Sequence, residues 1–167
     1  MSSPTESRPS LARLVWTPVG LLVTWILLMW VIEFVDTVAL DDRLQRHGLR
    51  PRKVDGLDGI MWAPFLHTDF GHLASNTVPF LALGGLVAVR GMRYWAWITA
   101  ITIVIGGGAT WLLGGSGLHV GASGVVFGYF GAILGAAVFE RRVRTLGAAL
   151  IALGFYSSLI AGVIPQP

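Results

Sequence analysis

Charged side chains are absent from four long stretches of the chain, and these stretches set its architecture. A bilayer core about 30 Å thick needs about 20 apolar residues in a helix to cross it. Leu14 to Ile32 and Gly71 to Val89 each give 19 residues without Asp, Glu, Lys or Arg. Tyr94 to Phe139 gives 46, too many for one crossing, and it divides at the glycine cluster Gly114 to Gly117, because clustered glycines punctuate helices. Two predicted spans result, Tyr94 to Leu113 and Gly121 to Phe139. Thr145 to Pro167 is the last run, so the pattern predicts five transmembrane helices in an all-α polytopic membrane protein.

Composition supports that class. The 167 residues are 54% hydrophobic and only 13% charged, with a mean hydropathy of +0.69, against about 25% charged residues in soluble domains. There are no cysteines, which excludes disulfides and thiolate metal sites. The net charge of +3 comes from arginines scattered between apolar runs, so no nucleic-acid partner is expected. The first run is too long for a signal-peptide core and reads as a retained anchor. The polar segment before it, residues 1–13, is expected to be disordered and cytoplasmic, leaving 14–167 as the membrane domain.

Loop charges orient the bundle. With a cytoplasmic N-terminus, seven cations lie inside (Arg8, Arg13, Arg90, Arg93, Arg141, Arg142 and Arg144). Five lie outside (Arg43, Arg46, Arg50, Arg52 and Lys53), all in one long loop where the positive-inside rule applies least. That loop, Glu33 to Phe70, is 38 residues long. Its apolar second half, "GLDGIMWAPFLH", suits the membrane interface.

Polar residues inside lipid are costly and usually functional. In "HTDFGHLASN", His72 and Asn76 stand four apart on one helix face, His67 falls just before the helix, and Thr68 or Asp69 is placed to cap it. By residue type the cluster fits a structural hydrogen-bond network, a catalytic group or a metal site; the last lacks a completing carboxylate pattern. Ser123 in "GASG" sits at a loop-to-helix junction, where free backbone N–H groups suit a developing oxyanion and where serine is also a common packing residue. Gly121, Gly124, Gly128, Gly131 and Gly135 form one stripe at spacings of 3 and 4, which lets a partner helix approach closely.

Together these segments resemble the rhomboid family of intramembrane serine proteases. "HTDFGHLASN" is similar to the family's His-x4-His-x3-Asn, "GASG" to its G-x-S-G, and "GIMWAPFLH" to its membrane-dipping first loop. The resemblance implies a rhomboid-like helical bundle in a bacterial-type plasma membrane, needing neither cofactor nor metal. It implies Ser123 as nucleophile. His72, Asn76 and the Ser123 N–H would form the oxyanion hole, with His67 a structural hydrogen-bonding residue of the loop. Substrates would be transmembrane segments of other membrane proteins. The family's base is a histidine on a sixth core helix, packed on the glycine stripe. This chain reaches "VIPQP" where that helix should begin, so it is expected to be a C-terminally incomplete protease, five helices of six, inactive alone. Of its four histidines, His47 and His119 have no role in the resemblance, and His119 is expected to be a solvated loop residue. Phe127 replaces a frequent tyrosine beside the missing base. The alternatives are a pseudoprotease that holds transmembrane clients, and a small transporter, for which the spans offer no buried charge or repeat.

Overall fold

A computed structural model describes residues 17–140 and 145–154. The polar segment 1–13, the start of the first predicted span at Leu14 and the end of the last beyond Gly154 lie outside the described residues. Among the described residues four helices are long and apolar enough to cross a membrane: α1 (Pro18–Ala39), α2 (Phe70–Ala88), α3 (Met92–Leu113) and α4 (Ser123–Glu140). A shorter apolar helix, α5 (Thr145–Gly154), follows. The protein is thus an all-α integral membrane protein with multiple spans. The predicted bounds of α2, α3 and α4 hold to within two residues at each end.

α1 departs most from the sequence pattern, running seven residues past Ile32. Its start is set by Thr17, whose hydroxyl accepts from Gly20 N–H at 3.1 Å, with Pro18 in the first turn. A charge-free window ended the span at Glu33, yet Glu33 and Asp36 both face inward, each 2% exposed. The expectation that the spans hold no buried charge is therefore overturned. The helix ends where Asp41 and Asp42 take positive φ (51° and 57°), which Asp tolerates better than most residues. Asp36 organises that end: its carbonyl accepts from Leu40 and Asp42 N–H, and its Oδ1 from Leu44 N–H at 2.8 Å.

α2 packs most extensively against α4 and α1. The core between them is Leu22, Met29, Leu73, Phe80, Leu83, Val125 and Tyr129. Tyr129 is fully buried, and its hydroxyl is satisfied by Thr99 Oγ1 of α3 at 2.8 Å; Thr99 in turn donates to the Trp95 carbonyl. Gly84 makes room for this centre, since a Cβ there would stand 2.7 Å from Leu22 Cδ2. Trp25 stacks on Phe65 of the long loop, with ring centroids 4.5 Å apart, tying that loop to α1.

The loop now runs from Leu40 to Asp69 and is built of short 3-10 turns and one helical turn, Gly59–Trp62. Backbone bonds staple it to the segment before α4. Leu49 and His119 exchange N–H···O bonds of 2.9 and 2.8 Å, a single β-bridge. At its other edge Arg52 N–H donates to the Trp111 carbonyl, and the Arg52 guanidinium bonds the carbonyls of Leu112 and Gly114 at the end of α3. Each staple satisfies backbone groups that an apolar setting would otherwise leave unpaired.

Gly59 lies against the Leu49 backbone so closely that a Cβ would collide with it. Backbone cannot yield as a side-chain tip does, so Gly59→Ala should destabilise the protein by about 1–3 kcal/mol. Gly108→Ala, with open space at its Cβ position, should change stability little. Thermal unfolding of both variants in detergent checks the contrast.

Candidate active site

The serine end of the bundle is built around a glycine. Gly121 has φ +110°, a conformation that favours glycine, and its N–H donates to the Ala63 carbonyl of the long loop at 2.8 Å. This fixes the chain direction two residues before Ser123. A Cβ on Gly121 would meet His72 Nε2 at 2.8 Å and Asn76 Nδ2 at 3.6 Å. Both polar side chains of α2 therefore lie against the approach to the serine.

Ser123 is the first residue of α4, and its side chain is exposed. The first bond of the helix runs from Val126 N–H to the Ala122 carbonyl. The N–H groups at the head of the helix precede that ladder and remain available as donors. Ser123 lines a cavity of about 580 Å³ with Gly124, Phe127 and Gly128 of α4 and Thr102 of α3. Among the described residues no hydrogen bond joins Ser123 to a histidine. His119 Nε2 is engaged with the Gly115 carbonyl at 3.1 Å, and His47 Nδ1 with Asp58 Oδ2 at 3.1 Å.

The glycine row serves several neighbours. Gly121 makes room for His72, and Gly128 for the side chain of Thr102, which would collide with any Cβ there. Thr102 opens a π-helical turn, Thr102–Gly106, inside α3. Such turns often mark functional positions, and nothing in the hydrophobic pattern betrays this one. Cβ positions on Gly124, Gly131 and Gly135 meet no atom within 4 Å among the described residues.

His72 is held from its own helix start. Asp69 is the N-cap, its Oδ1 accepting from His72 N–H at 2.8 Å and its Oδ2 from the Thr68 hydroxyl at 3.0 Å. Those two bonds hold the Asp69 carboxyl below the usual range. Thr68 Oγ1 also lies 3.1 Å from His72 Nδ1. Asn76 Nδ2 donates to the His72 carbonyl at 2.9 Å, leaving a second N–H on the same amide. His67 is fully buried beneath this pair, its ring edge-on to that of His72 with centroids 5.2 Å apart. Neither His67 nitrogen reaches hydrogen-bonding geometry with a described residue. Burial first, then the neighbouring His72, push its pKa down to about 4, with the Phe65 carbonyl offsetting only part of that shift. Among the described residues no group of three or more His, Cys, Asp or Glu side chains converges on a metal position.

Comparison with known proteins now fixes the family. The Rhomboid domain model matches residues 57–167, a range that holds both the His72/Asn76 cluster and Ser123. The chain belongs to the rhomboid family. It is 36% identical over 150 residues to an uncharacterized protein of Mycobacterium tuberculosis, covering 86% of this chain and 62% of that one. An uncharacterized protein of Mycobacterium bovis matches to the same extent. An uncharacterized protein of Mycobacterium leprae is 36% identical over 160 residues, 92% of this chain and 63% of its own length. The rhomboid chain thus spans somewhat under two thirds of the curated relatives it matches. No solved structure matches it.

The buried His67 gives the rhomboid domain an acid sensitivity. Its folded pKa near 4 lies below the ordinary 6.5. In the window between these values the unfolded chain binds a proton that the folded protein does not. Stability is therefore full above about pH 6.5 and falls as pH drops towards 4, by about 3 kcal/mol at most. Thermal unfolding in detergent across pH 4 to 7.5 should show this fall, and His67→Phe should flatten it.

Proposed function

We propose that the whole protein is an intramembrane serine endopeptidase of the rhomboid type, with Ser123 as nucleophile. One observation carries this: His72 and Asn76 converge on Gly121, two residues before a serine placed at a helix N-terminus. Those are the parts acyl transfer needs on its electrophilic side. Ser123 Oγ attacks the carbonyl carbon of a peptide bond in a substrate's transmembrane segment, locally unwound so that its carbonyl leaves the helical ladder. The negative charge forming on the carbonyl oxygen is received by His72, by the second Asn76 N–H and by the Ser123 backbone N–H. Collapse expels the amine, and water hydrolyses the acyl-enzyme.

The nucleophile also needs a base. By family resemblance this is a histidine on a sixth helix, and none of the described histidines bonds to Ser123. The activity proposed is that of a protein carrying such a base. In it the N-terminus faces the cytoplasm of a bacterial-type cell, and the serine opens towards the outer face of the plasma membrane. The partners are the bilayer and the transmembrane segments of other membrane proteins.

In liposomes containing a single-pass substrate, Ser123→Ala should reduce kcat by at least about 10⁴ without loss of fold. His72→Ala and Asn76→Ala should each cost about 10²–10³. Cleavage that survives Ser123→Ala would sink the protease assignment. Absence of cleavage by the full-length protein, with client binding indifferent to Ser123→Ala, would make it a pseudoprotease.

A further inference from the structure

His72 ends a hydrogen-bond chain that neither the motif nor the proposed oxyanion hole accounts for. The Thr68 hydroxyl has one proton. Asp69, held as a carboxylate by the His72 N–H, takes that proton in a 3.0 Å bond. Thr68 Oγ1 therefore has only lone pairs to offer His72 Nδ1, 3.1 Å away, so Nδ1 must carry the proton. In a neutral ring Nε2 is then bare. Nε2 is also the nitrogen facing Gly121, on the serine side.

We propose that Thr68 and Asp69 are positioning residues that keep the Nδ1 of His72 protonated, so that Nε2 donates to an oxyanion only when the ring is an imidazolium. This rests on the protease reading for its consequence, though not for its geometry. A cationic donor meets the developing charge more strongly than a neutral one. Among the described residues, the titratable groups seen against His72 are Asp69 at its own helix start and His67 packed on its ring from the loop. From the α4 junction it is Gly121 that faces the ring.

Thr68 and Asp69 are exposed, so their replacement should leave the fold intact. The first measurement is the ¹⁵N spectrum of His72 in the folded full-length protein at a pH where the ring is neutral. Nε2 should resonate as a bare nitrogen in the native protein and in Thr68→Ser. In Thr68→Val the preference for that tautomer should disappear. A native ring protonated at Nε2 overturns the proposal whether or not the protein cleaves anything. The second measurement is cleavage. Thr68→Val should lower kcat roughly tenfold with KM unchanged, and Thr68→Ser should restore it. Asp69→Asn keeps the cap but turns an N–H towards Thr68, which frees the Thr68 proton for Nδ1, so the bare Nε2 should be lost and kcat lowered as in Thr68→Val. Ser123-dependent cleavage unaffected by Thr68→Val and Asp69→Asn overturns the positioning role and leaves the protease reading standing. Cleavage independent of Ser123 overturns the protease reading, while the nitrogen spectrum still decides the tautomer.

Discussion

The serine end of the molecule depends on one backbone bond, from Gly121 N–H to the Ala63 carbonyl. It joins the long loop to the entrance of α4 and holds Gly121 at a φ that brings the chain flat against His72 and Asn76. A side chain at this position would be strained by its backbone angle and would displace His72. The Leu49–His119 bridge and the Arg52 contacts with the end of α3 fix the same loop at two further points. A loop of 30 residues in an apolar setting has many peptide groups to satisfy. Spending them on the serine junction turns that requirement into a rigid support for Ser123.

The buried acids of α1 belong to the same construction. Asp36 uses its carbonyl and its carboxylate on the chain just beyond the helix, so the loop leaves α1 in a defined direction. Glu33 lies one turn earlier, and one of its carboxylate oxygens finds no partner among the described residues. Deeper in the bundle, Trp25 holds Phe65 by stacking. Polar bonds at the end of α1 and aromatic packing along it thus locate the two ends of the segment that reaches Ala63.

Most of this bundle could be read from the sequence because lipid imposes a simple rule: spans must be long, apolar and helical. That rule located α2, α3 and α4 closely. It shortened α1 because it counts charges and cannot see which way they face. At an inward position an acid can hold backbone N–H groups, as Asp36 does. The candidate site was legible where it depends on helical spacing, as with His72 and Asn76. It was hidden where it depends on tertiary approach. Thr102 carries no pattern of its own, and it lines the cavity where α3 takes a π turn opposite Gly128. The links from Thr68 to Asp69 and His72 lie within five residues, and Asp69 is recognisable as a cap, but the direction of the Thr68 proton needs coordinates.

The distribution of small residues around Ser123 has a further consequence. Among the described residues nothing lies against Gly124, while the space at Gly128, one turn below, is filled by Thr102. The cavity beside Ser123 thus has a hydroxyl-bearing residue in its wall one turn deeper. In such a low-dielectric space an oxyanion is costly unless its donors are already aimed. A nucleophile can swing about its own χ1 into place, whereas the donors of an oxyanion hole must be held before the charge develops, as the bonds to His72 and Asn76 hold them. The sequence fits that asymmetry. Few of its constraints bear on the Ser123 side chain, and many bear on its backbone and on His72 and Asn76. In the proposed reading, what this fold holds rigid is the site that receives the charge, and the serine hydroxyl is the part left free to move.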